Sequence, residues 1–149
     1  MTQILFYATD KPFGGFSNFS RHPIELDGLL WPTSEHYFQA QKFAGTPHAE
    51  EVRAQPTPML AAQIGRRRDL PLRPDWEAVK DEVMMAALRA KFTQHPELRE
   101  LLLGTADAEL VEHTANDRYW ADGGDGSGRN RLGELLTELR TELRKEPTP

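Results

Sequence analysis

Two stretches of apolar residues at helical spacing constrain the fold of this chain more than any other feature. The first begins after Asp75 and ends before Pro96, and the second begins after Asn130. Their apolar stripes are Val79, Val83, Ala86 and Ala90, and Leu132, Leu135, Leu136, Leu139 and Leu143. Residues at these intervals line one side of an amphipathic helix, and that side must be buried in a core. The stripes therefore predict two long packed helices.

Prolines, glycines and capping residues delimit several shorter helices. Thr33 or Ser34 can cap a helix that runs to about Phe43 and is ended by Gly45 and Pro47. Three further short helices are predicted, at residues 48–54, 58–67 and 96–103.

The predicted β structure is small and lies mostly near the start of the chain. Residues 4–7 form a short apolar and aromatic run, residues 24–31 alternate around an Asp27-Gly28 turn, and residues 110–114 are expected to return as a strand to the opening sheet. The predicted class is helix-rich α+β, with several helices packed around a small N-terminal β element in a single domain, residues 1–145. Residues 146–149 are predicted to be a frayed tail because they hold two prolines and no apolar side chain.

Composition narrows the class of protein. The 149 residues contain no cysteine, no apolar run long enough for a membrane span and no secretory signal at the start. A cytoplasmic protein is therefore expected. Neither a membrane nor an obligate protein partner is expected among its binding partners. The formal net charge of −5 argues against a general polyanion binder. A local basic cluster nevertheless occurs at Arg66, Arg67 and Arg68, with Arg73 close behind.

Pro12–Phe19 is an unusual segment because it holds three aromatic residues, two glycines and two small polar residues. This mixture is poor for either a strand or a helix. It fits an aromatic-anchored loop over the core, and it equally fits a loop that places backbone groups and a ring beside a flat ligand. The segment alone leaves both interpretations open.

Asp117–Asn130 contains four glycines within six residues, directly before the last predicted helix. Amides of such a loop and the N-terminus of the following helix favour anion binding, with Trp120 as a stacking surface and Asp117, Asp122 and Asp125 as polar groups. A Walker loop, a dinucleotide fingerprint and an EF-hand are each excluded by spacing. The alternative is a flexible loop capped by Asn130.

The helix that begins at Ser34 places Glu35, Gln39 and Lys42 within about 60° of one another. Spacing alone favours a solvated stripe, with Tyr37, Ala40 and Ala44 facing the core. His36 and His113 do not stand at metal-binding spacing, so structural roles are expected and no metal site is predicted.

Taken together, several segments resemble the NADAR family, also called the YbiA-like family. The matching segments are Phe6–Tyr7, Pro12–Phe19, Trp31–Phe43, Gly65–Arg66, Pro71–Arg73, Asp75–Trp76, Tyr119–Trp120, Gly123–Asn130 and Leu132–Gly133. They span nearly the whole chain and are rich in rare residue types. Ala121 departs from the family pattern, which has glycine there.

The resemblance implies an N-glycosidase in which Glu35, Lys42 and Asp122 are the candidate catalytic residues. Glu35 is the candidate acid-base group, and Lys42 either pairs with a phosphate or forms a Schiff base with C1′ of an opened sugar. Asp122 or Asp117 would hold ribose hydroxyls, and Trp120 or Phe19 would stack on the base. No cofactor is implied. The remaining candidates for substrate binding are Asn18, Gln39, Arg66, Arg73, Gly124, Gly126, Ser127, Gly128 and Asn130.

The implied substrates are ribosyl or ADP-ribosyl compounds. They are phosphoribosylamino-pyrimidine intermediates of riboflavin biosynthesis or ADP-ribose attached to guanine, and an ADP-ribosylated nucleic acid is a further candidate partner. The negative net charge slightly favours a free small molecule. A competing hypothesis is a module that binds ADP-ribose or NAD without cleaving it, and such a module would need neither Glu35 nor Lys42.

Overall fold

The computed structural model describes residues 2–146 and confirms the helix-rich α+β class. The strands are β1 (Gln3–Phe6), β2 (Ile24–Leu26), β3 (Leu29–Trp31) and β4 (Glu109–Glu112). The α-helices are α1 (Ser34–Gln41), α2 (Pro47–Arg53), α3 (Pro58–Gly65), α4 (Trp76–Gln94), α5 (Pro96–Leu103) and α6 (Arg131–Lys145). Every helix and strand predicted from the sequence is present, with shifts of a few residues at some ends.

These residues form two compact units, of which the first comprises residues 2–17 and 95–146. In this unit β1 pairs in parallel with β4, so the predicted return strand is confirmed at Glu109–Glu112. Helix α6 packs on β4, and α5 packs on α6. All five leucines of the predicted α6 stripe are buried. Their burial is the main apolar contribution of α6 to this unit.

Residues 18–94 form the second unit, in which α1 is surrounded by other elements. Strands β2 and β3 form an antiparallel hairpin whose turn residues Asp27 and Gly28 both have positive φ, as tight hairpin turns require. Helix α1 contacts α2, α3 and α4. The core of the unit consists of Ile24, Trp31, Tyr37, Ala40, Phe43, Val52, Ala61, Ala87 and Ala90.

Helix α1 ends at Gln41, two residues before the predicted end. The N–H groups of Phe43 and Ala44 donate to the carbonyls of Ala40 and Gln41, three residues back, so the chain tightens into turns there. Gly45 then adopts φ +83°. Ala44 is consequently exposed, and the expectation that it faces the core is wrong.

In the part of the chain that the structure covers, no helix is both long enough and apolar enough to cross a membrane. Of the predicted tail, residues 146–149, only Glu146 belongs to the described residues, and the rest of that prediction lies outside them.

Candidate functional site

The polar side chains of α1 are buried rather than solvated. Glu35 is only 7% exposed and Gln39 only 4%, and every residue from Ser34 to Ala40 is buried. The solvated stripe expected from spacing alone is therefore wrong. The physical reason is that α2, α3 and α4 all pack on α1, so its polar side is covered as well as its apolar side.

The start of α1 is held by a set of buried polar groups around Asn18. The Asn18 carbonyl accepts a hydrogen bond from the Glu35 N–H, and its side-chain Oδ1 accepts one from the Ser34 hydroxyl at 2.7 Å. Its Nδ2 donates to Met84 Sδ on α4. Asn18, predicted as a substrate contact, therefore positions the turn that carries Glu35, and its contact with substrate stays a prediction.

His36 has the structural role that its spacing suggested. Its Nε2 lies 2.9 Å from the Gln55 carbonyl, and its Nδ1 lies 2.8 Å from the Thr33 hydroxyl, which also accepts the His36 N–H. A carbonyl at Nε2 requires a proton there, so the Thr33 hydroxyl donates to Nδ1. Burial lowers the pKa of His36, which agrees with this neutral ring.

Glu35 and Gln39 lie on α1, and Lys42 is the residue directly after its C-terminal end. Gln39 Nε2 donates to Glu35 Oε2 at 2.7 Å, and Lys42 Nζ donates to the carbonyl of Gly65, the last residue of α3, at 3.1 Å. The Lys42 ammonium also lies 5.8 Å from the ring centroids of Phe38 and Trp76. The arrangement places a buried carboxyl, a buried amide and a partly buried amine in series.

The pKa of Lys42 is lowered from its ordinary value. The largest cause is burial, which penalises the ammonium form. Glu35 acts in the opposite direction, while the positive charge of Arg66 lowers the pKa further. A larger fraction of Lys42 is therefore a free amine near neutral pH than for an exposed lysine.

Lys42 opens onto a cavity of about 600 Å³. The residues that line it are Lys42, Phe43, Gly65, Arg66, Arg67, Arg68, Leu70, Leu72, Trp76 and Glu77. Two of these charges are paired, since Arg67 contacts Asp69 and Glu77 contacts Lys80, both at 2.7 Å. The wall is thus predominantly basic, with apolar side chains beside it, and such a surface suits an anionic ligand that has a flat or apolar part.

The two predicted phosphate-binding arginines differ in their surroundings. Arg66 lines the cavity. Arg73 instead contacts Asp75 with Nε and Nη2 at 2.6 and 2.9 Å, and its backbone N–H donates to the Lys42 carbonyl. Arg73 is therefore committed to holding the segment after the cavity against the end of α1.

In the other unit, the glycine loop is organised around Asp122. This buried carboxylate accepts hydrogen bonds from the N–H groups of Gly124 and Thr114, and its Oδ2 lies 2.7 Å from His113 Nδ1. The hydrogen bond with His113 is the largest cause that lowers the pKa of Asp122. Asp122 is thus an ionised group that shapes the loop, and its predicted catalytic role is untested.

The remaining predicted residues of the loop also make internal contacts. Asp117 Oδ1 accepts from the N–H groups of Tyr119 and Trp120, and the rings of these two residues pack edge to face at 4.8 Å. The Ser127 hydroxyl donates to Asp125. The loop is therefore extensively hydrogen-bonded within itself.

Glycine is required at several positions of this loop. Gly124 and Gly126 have φ of +86° and +87°, and a side chain at Gly128 would overlap the backbone of Ala121 and Asp122. Ala121, the departure from the family pattern, is not among the residues with positive φ, so its backbone does not call for glycine.

Asn130 stands at the N-cap position of α6, but its side chain makes no capping hydrogen bond. It accepts from the Glu112 N–H at 3.0 Å and donates to the Leu110 carbonyl at 2.9 Å. The side chain therefore joins α6 to β4, and its predicted part in phosphate binding stays a prediction.

The Pro12–Phe19 segment contains an aromatic anchor, as one of its two interpretations expected. Phe16 is fully buried and packs edge to face on Phe6, with 5.5 Å between ring centroids. A 3-10 turn, Gly14–Phe16, shapes the segment. Phe19 is partly buried, and its stacking on a ligand remains a prediction.

Three members of this site had no role assigned from sequence. Gly65 contributes a carbonyl, Trp76 contributes a ring beside Lys42, and Arg68 contributes a charge to the cavity wall. All three lie outside α1, and nothing in local spacing indicates which helix ends meet. Among residues 2–146, no group of His, Asp and Glu side chains is arranged to hold a metal ion.

Comparisons with known proteins agree on one family. The NADAR domain model matches residues 5–144. The chain is similar to N-glycosidase YbiA of Escherichia coli strain K12, with 61% identity over 95% of this chain and 89% of that protein. It is also similar to an N-glycosidase of Nostoc punctiforme, with 43% identity over 95% of this chain and 92% of that one.

A longer relative and a solved structure extend this agreement. A riboflavin biosynthesis protein of Vibrio vulnificus is 42% identical over 95% of this chain, which corresponds to 39% of that protein. The NMR structure of the Escherichia coli protein YbiA matches with a TM-score of 0.91 and 58% identity, covering 99% of this chain and 90% of that one.

Proposed function

The chain belongs to the NADAR domain family and is an N-glycosidase, and we propose that the bond it hydrolyses joins a phosphate-bearing ribosyl group to a nitrogen base or amine. The observation that carries the proposal is the series of Glu35 and Gln39, buried on α1, and the partly buried Lys42 directly after it, which lines a basic cavity. The proposed substrates are a phosphoribosylamino-pyrimidine intermediate of riboflavin biosynthesis and ADP-ribosylated guanine. The name of the Vibrio vulnificus relative supports the first of these.

The cavity supports a substrate that carries phosphate. Lys42 and Arg66 present positive charge along its wall, together with Arg68. Arginine binds phosphate oxygens through paired N–H donors, and such charge-assisted hydrogen bonds are stronger than neutral ones. The volume is within the range of small-molecule sites, roughly 300–1,000 Å³. Leu72 and Trp76 provide apolar surface for the rest of the ligand.

Glu35 is the proposed acid-base group. Cleavage of an N-glycosidic bond develops positive charge at the anomeric carbon, while the leaving nitrogen needs a proton and the attacking water must lose one. A carboxyl on α1 supplies both steps in turn. Gln39 fixes its orientation through the hydrogen bond to Oε2.

Lys42 has two proposed roles. In the first, its ammonium pairs with a substrate phosphate. In the second, its free amine adds to C1′ of the opened sugar, the base leaves as an amine that takes up a proton, and water then hydrolyses the resulting imine to release the sugar and restore Lys42. The lowered pKa of Lys42 favours the second role because only the unprotonated amine is nucleophilic.

The family resemblance, taken from the sequence, implies further contacts of the substrate with the glycine loop and with Phe19. Asp122 or Asp117 would accept hydrogen bonds from ribose hydroxyls, and Trp120 or Phe19 would stack on the base. Phosphate binding by the amides of this loop stays a prediction from the sequence, because the N–H groups of Gly124, Gly128 and Asn130 already donate within the protein.

The deciding experiment incubates purified protein with ADP-ribosylated guanosine and, separately, with a phosphoribosylamino-pyrimidine. Base release is followed by chromatography, beside a Lys42→Ala variant. Release from one substrate that is abolished in the variant supports the proposal and identifies the leaving group. No release from either substrate, with ADP-ribose still bound, would contradict the proposal and favour a non-catalytic ADP-ribose module.

A further inference from the structure

We propose that Gly65 is a positioning residue for the Glu35 carboxyl and Gln39 amide on α1 and for the Lys42 amine directly after it. Its missing side chain makes room for Gln39, and its carbonyl holds Lys42. The catalytic consequence rests on the proposed function, whereas the structural arrangement does not.

The steric part of the argument concerns the contact between the end of α3 and the middle of α1. A Cβ added to Gly65 would overlap the amide oxygen of Gln39 and would lie 2.6 Å from its Cδ and 2.9 Å from its Cβ. Rotating the amide would not relieve the contact, because the Gln39 Cβ is fixed to the α1 backbone. Alanine at position 65 would therefore have to push α3 away from α1 or displace Gln39.

Local conformation does not explain the glycine. Gly65 is the last residue of α3 and does not have positive φ, so its backbone accepts any L-residue. Alanine is also the better helix former. Glycine at this position is thus required by packing between two helices and not by the turn that follows.

The electrostatic part concerns the orientation of Gln39. Its Oε1 is buried and has no hydrogen-bond partner among the described residues, while its Nε2 donates to Glu35. This orientation is the favourable one because a carboxylate accepts hydrogen bonds and cannot donate them. The unpartnered oxygen lies against Gly65, at the place that a Cβ would occupy. A side chain there would push on the group that orients Glu35.

The second contact of Gly65 is a hydrogen bond with the amine of Lys42. Its carbonyl accepts the hydrogen bond from Lys42 Nζ at 3.1 Å. Any shift of the end of α3 therefore moves the acceptor of Lys42 together with the wall against which Gln39 rests. One glycine fixes the surroundings of both proposed catalytic side chains.

The test is a double-mutant cycle between Gly65→Ala and Gln39→Gly. The glycine substitution removes the atoms of residue 39 that an added Cβ would meet first. The readouts are the kinetic constants, the melting temperature and the pKa of Lys42, measured by NMR on protein with ¹³C-labelled lysine. Gly104→Ala is the matched control, because Gly104 directly follows a helix at negative φ and an added Cβ would approach only backbone oxygens of that helix, at 3.1 Å or more.

We expect Gly65→Ala to lower kcat by about 100-fold, the scale of a misplacement near 1 Å, with a smaller change in KM. The pKa of Lys42 should change, and both effects should nearly vanish in the Gln39→Gly background. Gly104→Ala should leave kcat and the pKa of Lys42 unchanged.

Equal effects of Gly65→Ala in both backgrounds would overturn the proposal. So would a fall in melting temperature alone, with kcat and the Lys42 pKa unchanged, since that is the signature of a purely structural glycine. If the unsubstituted protein cleaves neither substrate, the proposed function fails, but the Lys42 pKa and the melting temperature still decide whether Gly65 positions α1.

Discussion

Lys42 is the residue at which the two proposed mechanisms separate. We expect it to act as the nucleophile, because its pKa is lowered chiefly by burial and its amine meets the cavity. Treatment with sodium borohydride during turnover should then attach the sugar to Lys42, which mass spectrometry of the digested protein detects. Lys42→Arg keeps the positive charge but has no nucleophilic amine, so turnover should be lost while ADP-ribose binding persists.

The pH profile gives an independent check on Lys42. Only the free amine attacks C1′, so the rate should fall as the pH drops below the pKa of Lys42, and the lowered pKa moves that limb to lower pH than for an exposed lysine. Turnover that survives in Lys42→Arg would instead assign Lys42 to a substrate phosphate.

Glu35 gives the second prediction at the scale of one residue. Glu35→Gln keeps the size of the side chain and an oxygen that can accept the hydrogen bond from Gln39, but it cannot transfer a proton. We expect kcat to fall by about 10²- to 10⁴-fold. Binding of ADP-ribose, measured by calorimetry, should change little.

The exposed Glu51→Gln on α2 is the control for this substitution and should retain full activity. A Glu35→Gln variant as active as the unsubstituted protein would remove Glu35 from the mechanism.

The residues predicted from sequence and the residues found at the site differ for a physical reason. Glu35 and Lys42 were implied by a family pattern, because reacting groups are tied to residue type. Gly65 contributes a backbone carbonyl and an empty volume, and neither property depends on a recognisable side chain. Asn18 is similar, since its contacts with Ser34 and Met84 join residues distant in sequence.

The ends of helices were predictable from the sequence where the residues that set them are neighbours along the chain. The capping residues Thr33, Thr46 and Thr57 each accept a hydrogen bond from the first turn of a helix, and the prolines that follow two of them stand inside the first turn. The buried face of α1 was not predictable, because it depends on how many other helices surround it. Three do, so no side of α1 between Ser34 and Ala40 remains exposed.

The packing of α6 on β4 predicts that alanine in place of Gly133 destabilises the protein, which is the opposite of its usual effect inside a helix. Gly133 lies inside α6, where alanine usually stabilises a helix by about 1 kcal/mol relative to glycine. Here an added Cβ would overlap the Leu110 carbonyl and lie 2.7 Å from Asn130 Oδ1. We therefore expect Gly133→Ala to lower the free energy of unfolding by about 1–3 kcal/mol, the usual cost of overpacking.

Urea denaturation monitored by tryptophan fluorescence measures this change. Thr141→Ala, on an exposed position of the same helix, is the control and should leave stability nearly unchanged. A Gly133→Ala variant at least as stable as the unsubstituted protein would show that α6 and β4 separate at little cost.

For the molecule as a whole, net charge and local charge point in different directions. The chain carries −5, whereas the cavity wall is lined by Lys42 and three arginines. Composition argued against a general polyanion binder but could not locate a small basic cavity, because a sum over residues discards their positions. Family resemblance was informative where composition was not, since it depends on the order of rare residues along the chain.

Lys91 provides a prediction about the stability of the whole molecule. It lies on α4 with no exposed surface, and burial lowers its pKa from 10.5 to about 7. Between pH 7 and 10 the unfolded chain therefore holds a proton on Lys91 that the folded protein has released. The free energy of unfolding should rise with pH in this window, by at most about 1.4 kcal/mol per pH unit from this group.

Lys91→Met removes the titration, so the free energy of unfolding of this variant, measured with urea at pH 7, 8 and 9, should rise less steeply than that of the unsubstituted protein. The exposed Lys11→Met serves as the control and should keep the original slope. Equal slopes in Lys91→Met and the unsubstituted protein would show that Lys91 keeps its proton on folding. The folded protein would then bury a charged ammonium group on α4.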